Sequence, residues 1–373
     1  MPKPLEGIRV VELARVLAGP WCGQLLADLG AEVIKVERPG GGDDTREWGP
    51  PFVTGADGAN LGAAYYHSCN RGKRSVAIDI ASAEGQAEVR ALLADADVVI
   101  ENYKVGGLVK YGLDPARLRA DLPRLVVCSI TGFGQTGPYA HRAGYDYIVQ
   151  AMSGFMSLTG EPDGAPQKAG IAYADIFTGM YATVAILAAL RRRDATGKGA
   201  HVDMALLDSQ VAVLANQAAN YLASGVVPKR MGNAHVNVVP YQVFATADGQ
   251  LVIAVGNDGQ YRKLCAILGV PEWGGDPRFA TNAARLANRA ELIPLLAAKI
   301  ATWDAQPLSL ALEAEGVPAG PINDLAGVFA DPQVIARGMR FRPEGASIDG
   351  VASPIVIDGE RMVAATGAPP LDG

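Results

Sequence analysis

Short apolar runs alternate with stretches of helical periodicity over residues 8–130. Residues 8–13 read as a strand, 20–29 as a helix with Pro20 in its first turn and Gly30 as its stop, and 32–37 as a second strand. Strand signals recur at 74–80, 97–102 and 125–130, with a helical pattern over 83–94. This alternation predicts an α/β fold: a mostly parallel sheet with helices on both faces, in a Rossmann-like large domain. Downstream, the apolar run 181–190 predicts a helix, 198–205 a strand and 207–224 one long helix, after which 225–240 breaks the pattern. Residues 241–246 and 251–255, joined through Asp248-Gly249, predict a hairpin, and helical patterns follow at 260–268, 289–302 and 308–315. Prolines make 317–321 an extended connector. The expected division is a large domain over 1–205, a linker helix with a smaller α+β domain over 206–320, and a return to the large domain over 321–373.

Composition narrows the function classes. With 373 residues, 49% of them hydrophobic, the chain can bury large cores. Its 33 basic and 39 acidic residues give a net charge of -6, which argues against a nucleic-acid partner. No stretch reads as a membrane span and none as an apolar signal segment, so a cytoplasmic protein is expected. The four cysteines are far apart, without the paired spacing of a zinc or redox site, and no HExxH motif or carboxylate loop implies a metal.

Candidate chemistry centres on one carboxylate. In Asp175-Ile176-Phe177-Thr178-Gly179-Met180, an aspartate stands where an apolar, small-residue helix begins, and the unpaired N–H groups of a first turn favour negative charge there. On this segment alone an N-cap is the commoner use of such a residue. The glycine fingerprint of a dehydrogenase is missing, because Gly19-Pro20 is all that follows the first strand, and no G-x-S-x-G elbow is present. Arg38, Lys104 and Lys110 follow strand ends, where a parallel sheet binds ligands; they read either as a phosphate site or as a solvated basic rim.

Several motifs then carry a specific resemblance. Arg15-Val16-Leu17-Ala18-Gly19-Pro20, Leu29-Gly30-Ala31-Glu32-Val33-Ile34-Lys35, Asn70-Arg71-Gly72-Lys73-Arg74, Glu101-Asn102-Tyr103, Gly144-Tyr145-Asp146 and Ala174-Asp175 resemble the class III coenzyme A transferase family, in the CaiB/BaiF group. The resemblance implies two domains, the larger one binding CoA, in a homodimer whose subunits interlock. It implies acyl-CoA and carboxylic acids as small-molecule partners, coenzyme A as substrate and product, and no metal. The aspartate matching Asp175 attacks an acyl-CoA thioester in such enzymes and forms a mixed anhydride, which is covalent catalysis by a carboxylate.

By the same resemblance, Leu17 and Ala18 supply backbone near the nucleotide, Arg38 faces a phosphate, and Ile78 with Asp79 borders the adenine. Asn102 and Tyr103 follow the next strand, Lys110 stands where relatives often have arginine, and Tyr145 with Asp146 falls beside the thioester. The family also holds α-methylacyl-CoA racemases, whose signature has histidine at the position of Tyr145; a phenol is a poor base at neutral pH, so transfer is favoured. A non-catalytic CoA-binding protein is the remaining alternative. Gly41-Gly42-Asp43-Asp44-Thr45-Arg46 and Gly232-Asn233-Ala234-His235 look most like the branch that uses succinyl-CoA and other dicarboxylates, with Arg46, Arg71 and His235 as candidate partners of the distal carboxylate.

Overall fold

The computed structural model describes residues 2–373, which form two compact units. The larger contains the chain up to Met156, Lys168–Val226 and Pro332–Gly373; the smaller contains Ser157–Gln167 and Val227–Asp331. The helices at 206–224 therefore belong with the larger unit, and the chain returns to it at Pro332.

Six parallel strands make the sheet of the larger unit: β1 (Arg9–Glu12), β2 (Glu32–Glu37), β3 (Lys73–Ala77), β4 (Val98–Glu101), β5 (Val126–Thr131) and β6 (His201–Ala205). Their order across the sheet is β3-β2-β1-β4-β5-β6. The direction of winding reverses between β1 and β4, and a crevice opens at such a switch point beyond the carboxyl ends of the strands. Alternate side chains build two cores. Val10, Val98, Ile100, Val126 and Cys128 point to one face, where helices α1 (Ala18–Asp28) and α5 (Tyr173–Thr196) lie, and Val11, Val99 and Val127 point to the other, against Val89 and Leu93 of α3 (Ala83–Ala94).

Several boundaries differ from the sequence expectation. The strand expected over 74–80 stops at Ala77, because Asp79 turns the chain by accepting the Ala81 N–H at 2.9 Å. The helix expected over 207–224 breaks into α6 (Leu206–Ala212) and α7 (Ala215–Ser224), with Ala215 at φ 45°. One expectation is overturned: α5, with 24 residues, is long and apolar enough to cross a membrane by length and composition. Asp175 is the only charged residue between Tyr173 and Leu190, and the arginines come afterwards. In the fold Ala182, Ile186 and Leu190 of this helix are buried in the core of the larger unit.

The outer edge of β3 is covered by Asp372 and Gly373. Ser75 N–H donates to the Gly373 carbonyl at 3.0 Å and Ala77 N–H to the Asp372 carboxylate at 3.1 Å. In the smaller unit the hairpin forms as expected, pairing Tyr241–Ala245 with Gln250–Ala254. The expected connector adds a third strand, Ala319–Pro321, antiparallel to the second. This sheet shares a core with Tyr261, Leu264, Leu292, Leu296, Leu308 and Leu312 from the surrounding helices.

Candidate active site

At the switch point lies a pocket of about 430 Å³. Its walls are the segments that leave β1 (Arg15–Ala18), β4 (Asn102–Tyr111) and β5 (Ile130–Gly132), the loop 140–145, Asp175 and Leu206. The segment after β1 is pinned from two sides. Asn102 accepts the Arg15 N–H at 3.0 Å and donates to the Arg15 carbonyl at 2.7 Å, while the Asp43 carboxylate accepts the Val16 N–H at 3.2 Å. Val16 has φ 71°, a left-handed conformation that a β-branched residue avoids.

Asp175 reaches the pocket because α5 crosses α1 at very short range. A side chain at Gly179 would put its Cβ 2.7 Å from the Ala18 carbonyl, so glycine is required for this approach. The loop 142–146 is set by a second close contact, in which the Gly132 and Gly144 backbones touch too closely for a side chain on either. From that loop Asp146, the first residue of α4 (Asp146–Met152), accepts the N–H groups of Ala174 and Asp175 at 2.7 and 3.3 Å. The helix-end donors expected to stabilise Asp175 thus go to Asp146. Burial, and then the neighbouring charge of Asp146, push the Asp175 carboxyl up to about 7.

Cations surround the opening. Arg142 stacks on the rings of Tyr139 and Phe133, at 4.5 and 5.3 Å, and Lys110 lies over Tyr111 at 4.6 Å. Among the described residues neither they nor Lys104 is ion-paired to a carboxylate, whereas Arg15 pairs with Asp44 at 2.8 Å. The pocket therefore joins one buried carboxylate to three cations without carboxylate partners, the kind of group that binds an anionic ligand.

Of the residues singled out in the sequence, Leu17, Ala18, Asn102, Tyr103, Lys110, Tyr145 and Asp175 line this pocket, and Asp146 supports it from behind. Arg38 is exposed, 3.3 Å from Asp44, and does not line it. Ile78 is buried in the sheet core and Asp79 is held in its own turn, so neither contributes to the wall.

Arg46 and Arg71 make internal contacts. Arg46 makes a paired contact with buried Glu37, at 2.8 and 2.7 Å, and donates to Tyr66. Arg71 grips Asp28 at 2.8 and 2.6 Å and donates to the Val351 carbonyl. Both guanidinium groups pair with internal carboxylates, and neither lines the pocket. His235 belongs to the smaller unit, where its Nδ1 accepts the Asn237 N–H at 3.0 Å and its ring tilts against Tyr241. Sequence reasoning passed over Arg142, although it stands three residues before Tyr145 in the same loop, and Tyr65. Burial, and then the negative field of Asp175, hold the Tyr65 phenol above its usual range, so it remains an O–H donor.

The profile described as CoA-transferase family III matches residues 5–373. The chain belongs to this family. It is 61% identical over 357 residues to the succinate–glutarate CoA-transferase of Agrobacterium fabrum, covering 95% of this chain and 89% of that relative. It is 47% identical to the succinyl-CoA:glutarate CoA-transferase of Mus musculus over 94% of this chain and 79% of the mouse protein. A crystal structure of a CaiB/BaiF family protein from Brucella suis superposes with a TM-score of 0.89 at 57% identity, covering 100% of this chain and 97% of that one. The protein is accordingly a family III CoA-transferase, and the pocket at the switch point is its candidate active site.

Proposed function

We propose that this CoA-transferase moves CoA from a short dicarboxyl-CoA such as succinyl-CoA to a dicarboxylic acid such as glutarate, with Asp175 as nucleophile. The observation that carries the mechanism is the carboxylate at the head of α5, inside a pocket where Lys104, Lys110 and Arg142 lack carboxylate partners among the described residues. Relatives named for succinate and glutarate support the choice of acids. One Asp175 oxygen attacks the thioester carbonyl, the C–S bond breaks with its electron pair on sulfur, and an aspartyl–acyl anhydride forms beside CoA thiolate. The thiolate attacks the aspartyl carbonyl, releasing the donor acid as its carboxylate and leaving an aspartyl thioester. The acceptor carboxylate and the thiolate then repeat the two attacks in turn, giving the new acyl-CoA and free Asp175. Each attacking group acts as an anion, Asp175 once it has lost its proton to solvent, so no further side-chain base is required.

Lys104, Lys110 and Arg142 are read as partners for the phosphates and carboxylates of the substrates. A homodimer is supported by exposed apolar side chains on α4, α5 and α7, including Tyr147, Ile148, Tyr181, Val184 and Leu222. Sedimentation of the purified protein tests that assembly.

The activity test incubates the enzyme with succinyl-CoA and labelled glutarate and follows labelled glutaryl-CoA by mass spectrometry. Hydroxylamine should convert Asp175 to a hydroxamate during turnover, and Asp175→Asn should yield neither product nor trap. Near-normal transfer by the Asn variant would overturn the nucleophile, and α-proton exchange in deuterated water without an acceptor acid would point to racemisation instead.

A further inference from the structure

The strained turn at Val16 is tied to a fully buried set of charges that the transfer chemistry does not use. Lys35, with no exposed surface, bonds Glu12 at 3.0 Å, Asp43 at 2.9 Å and the Ala14 carbonyl at 2.9 Å. Lys73 holds the other side of Glu12 at 2.9 Å, and Gly23 leaves room for that carboxylate, since a Cβ there would overlap it. Asp43 also accepts from the Thr45 N–H and hydroxyl, at 3.0 and 2.8 Å, which fixes its carboxylate while it receives the Val16 N–H. Burial acts to raise the Asp43 pKa, yet Lys35 and the Thr45 donors outweigh it and hold the group below its usual range.

We propose that Asp43 is a positioning residue for the CoA pocket: by fixing the Val16 N–H it holds a left-handed valine in place, and with it the Leu17 and Ala18 backbone against the ligand. The pocket begins at this turn, where Arg15, Val16, Leu17 and Ala18 follow one another along its wall. Valine relaxes toward negative φ when nothing restrains it. Without Asp43 the turn swings out, and the start of α1 no longer meets the ligand in the same register. Asn102 donates to the Arg15 carbonyl, which shares one peptide plane with the Val16 N–H, so Asn102 and Asp43 grip that plane from its two edges. The inference rests on the reading that this pocket takes CoA.

A substitution cycle tests it with CoA as the titrant in calorimetry. Asp43→Ala should weaken CoA binding about tenfold. Adding Val16→Gly to that variant should recover most of the loss, because glycine occupies positive φ without strain. Glycine at 16 cannot restore a partner to Lys35, so a role limited to stability would show no recovery of affinity. Melting temperature is read in parallel and should stay depressed in both. Should the Ala variant fail to fold, the same cycle with Asp43→Asn decides the matter. Unchanged affinity in the single variant, or loss without recovery in the double, overturns the role. A wild-type protein that takes up no CoA overturns the reading of the pocket itself, a distinct result.

Discussion

Two groups of cations in the larger unit are used in opposite ways. Lys35, Lys73, Arg46 and Arg71 are buried or nearly so, and each is bonded to a carboxylate that is itself buried. Lys104, Lys110 and Arg142 are exposed at the pocket, and two of them rest on aromatic rings instead of acids. The internal set is electrically closed, so it sets shape. The open set keeps its charge for something that arrives from outside. Exposure and pairing, not residue type, separate the two roles.

The sharpest way to break this comparison is at the one carboxylate that belongs to the open group. Asp175→Asn should lower transfer on the order of 10³-fold or more while CoA binding survives, as initial rates beside titration would register. Next in size is the closed set. Arg71→Met leaves Asp28 buried without its partner and should cost about 3–5 kcal/mol of stability in denaturant unfolding. Arg142→Gln should leave stability within about 0.5 kcal/mol and raise KM for the acyl-CoA roughly tenfold or more. If both arginine variants lost stability equally, the division between the sets would fail.

The last expected effect concerns acidity. The Asp175 carboxyl sits near 7 in the folded protein and at an ordinary carboxylate value when unfolded. Between about pH 4 and 7 the unfolded chain loses this proton first, so the group's contribution to stability falls as pH rises through that window and is flat above it. Asp175→Asn removes the fall. Its melting temperature relative to wild type should therefore climb between pH 5 and pH 8, and a constant difference would show that burial does not hold the proton. In the active enzyme the same proton predicts that kcat/KM rises with pH through about 7, because only the ionised carboxylate attacks.

How much of this was legible in the sequence depends on the distance over which each feature is decided. The alternating strands and helices were read correctly because period and turn residues are local. The strand order was not, since it depends on which edges meet, and with it went the knowledge that segments 15–18, 102–111 and 130–132 share one pocket. Asp175 could be singled out from the apolar helix behind it, but its neighbour Asp146 lies 29 positions away and takes the donors assigned to it. Arg46 and Arg71 looked free for the same reason: their acids stand 9 and 43 positions back and become partners only after the sheet closes.

Asp372 and Gly373 lie along the rim of the sheet, meeting the Ala77 and Ser75 amides. An uncovered rim strand is a template on which another chain can add, the usual start of uncontrolled self-assembly. Asp372→Ala would loosen this guard over the Ala77 amide, and such material should precipitate on storage while its catalytic centre stays whole.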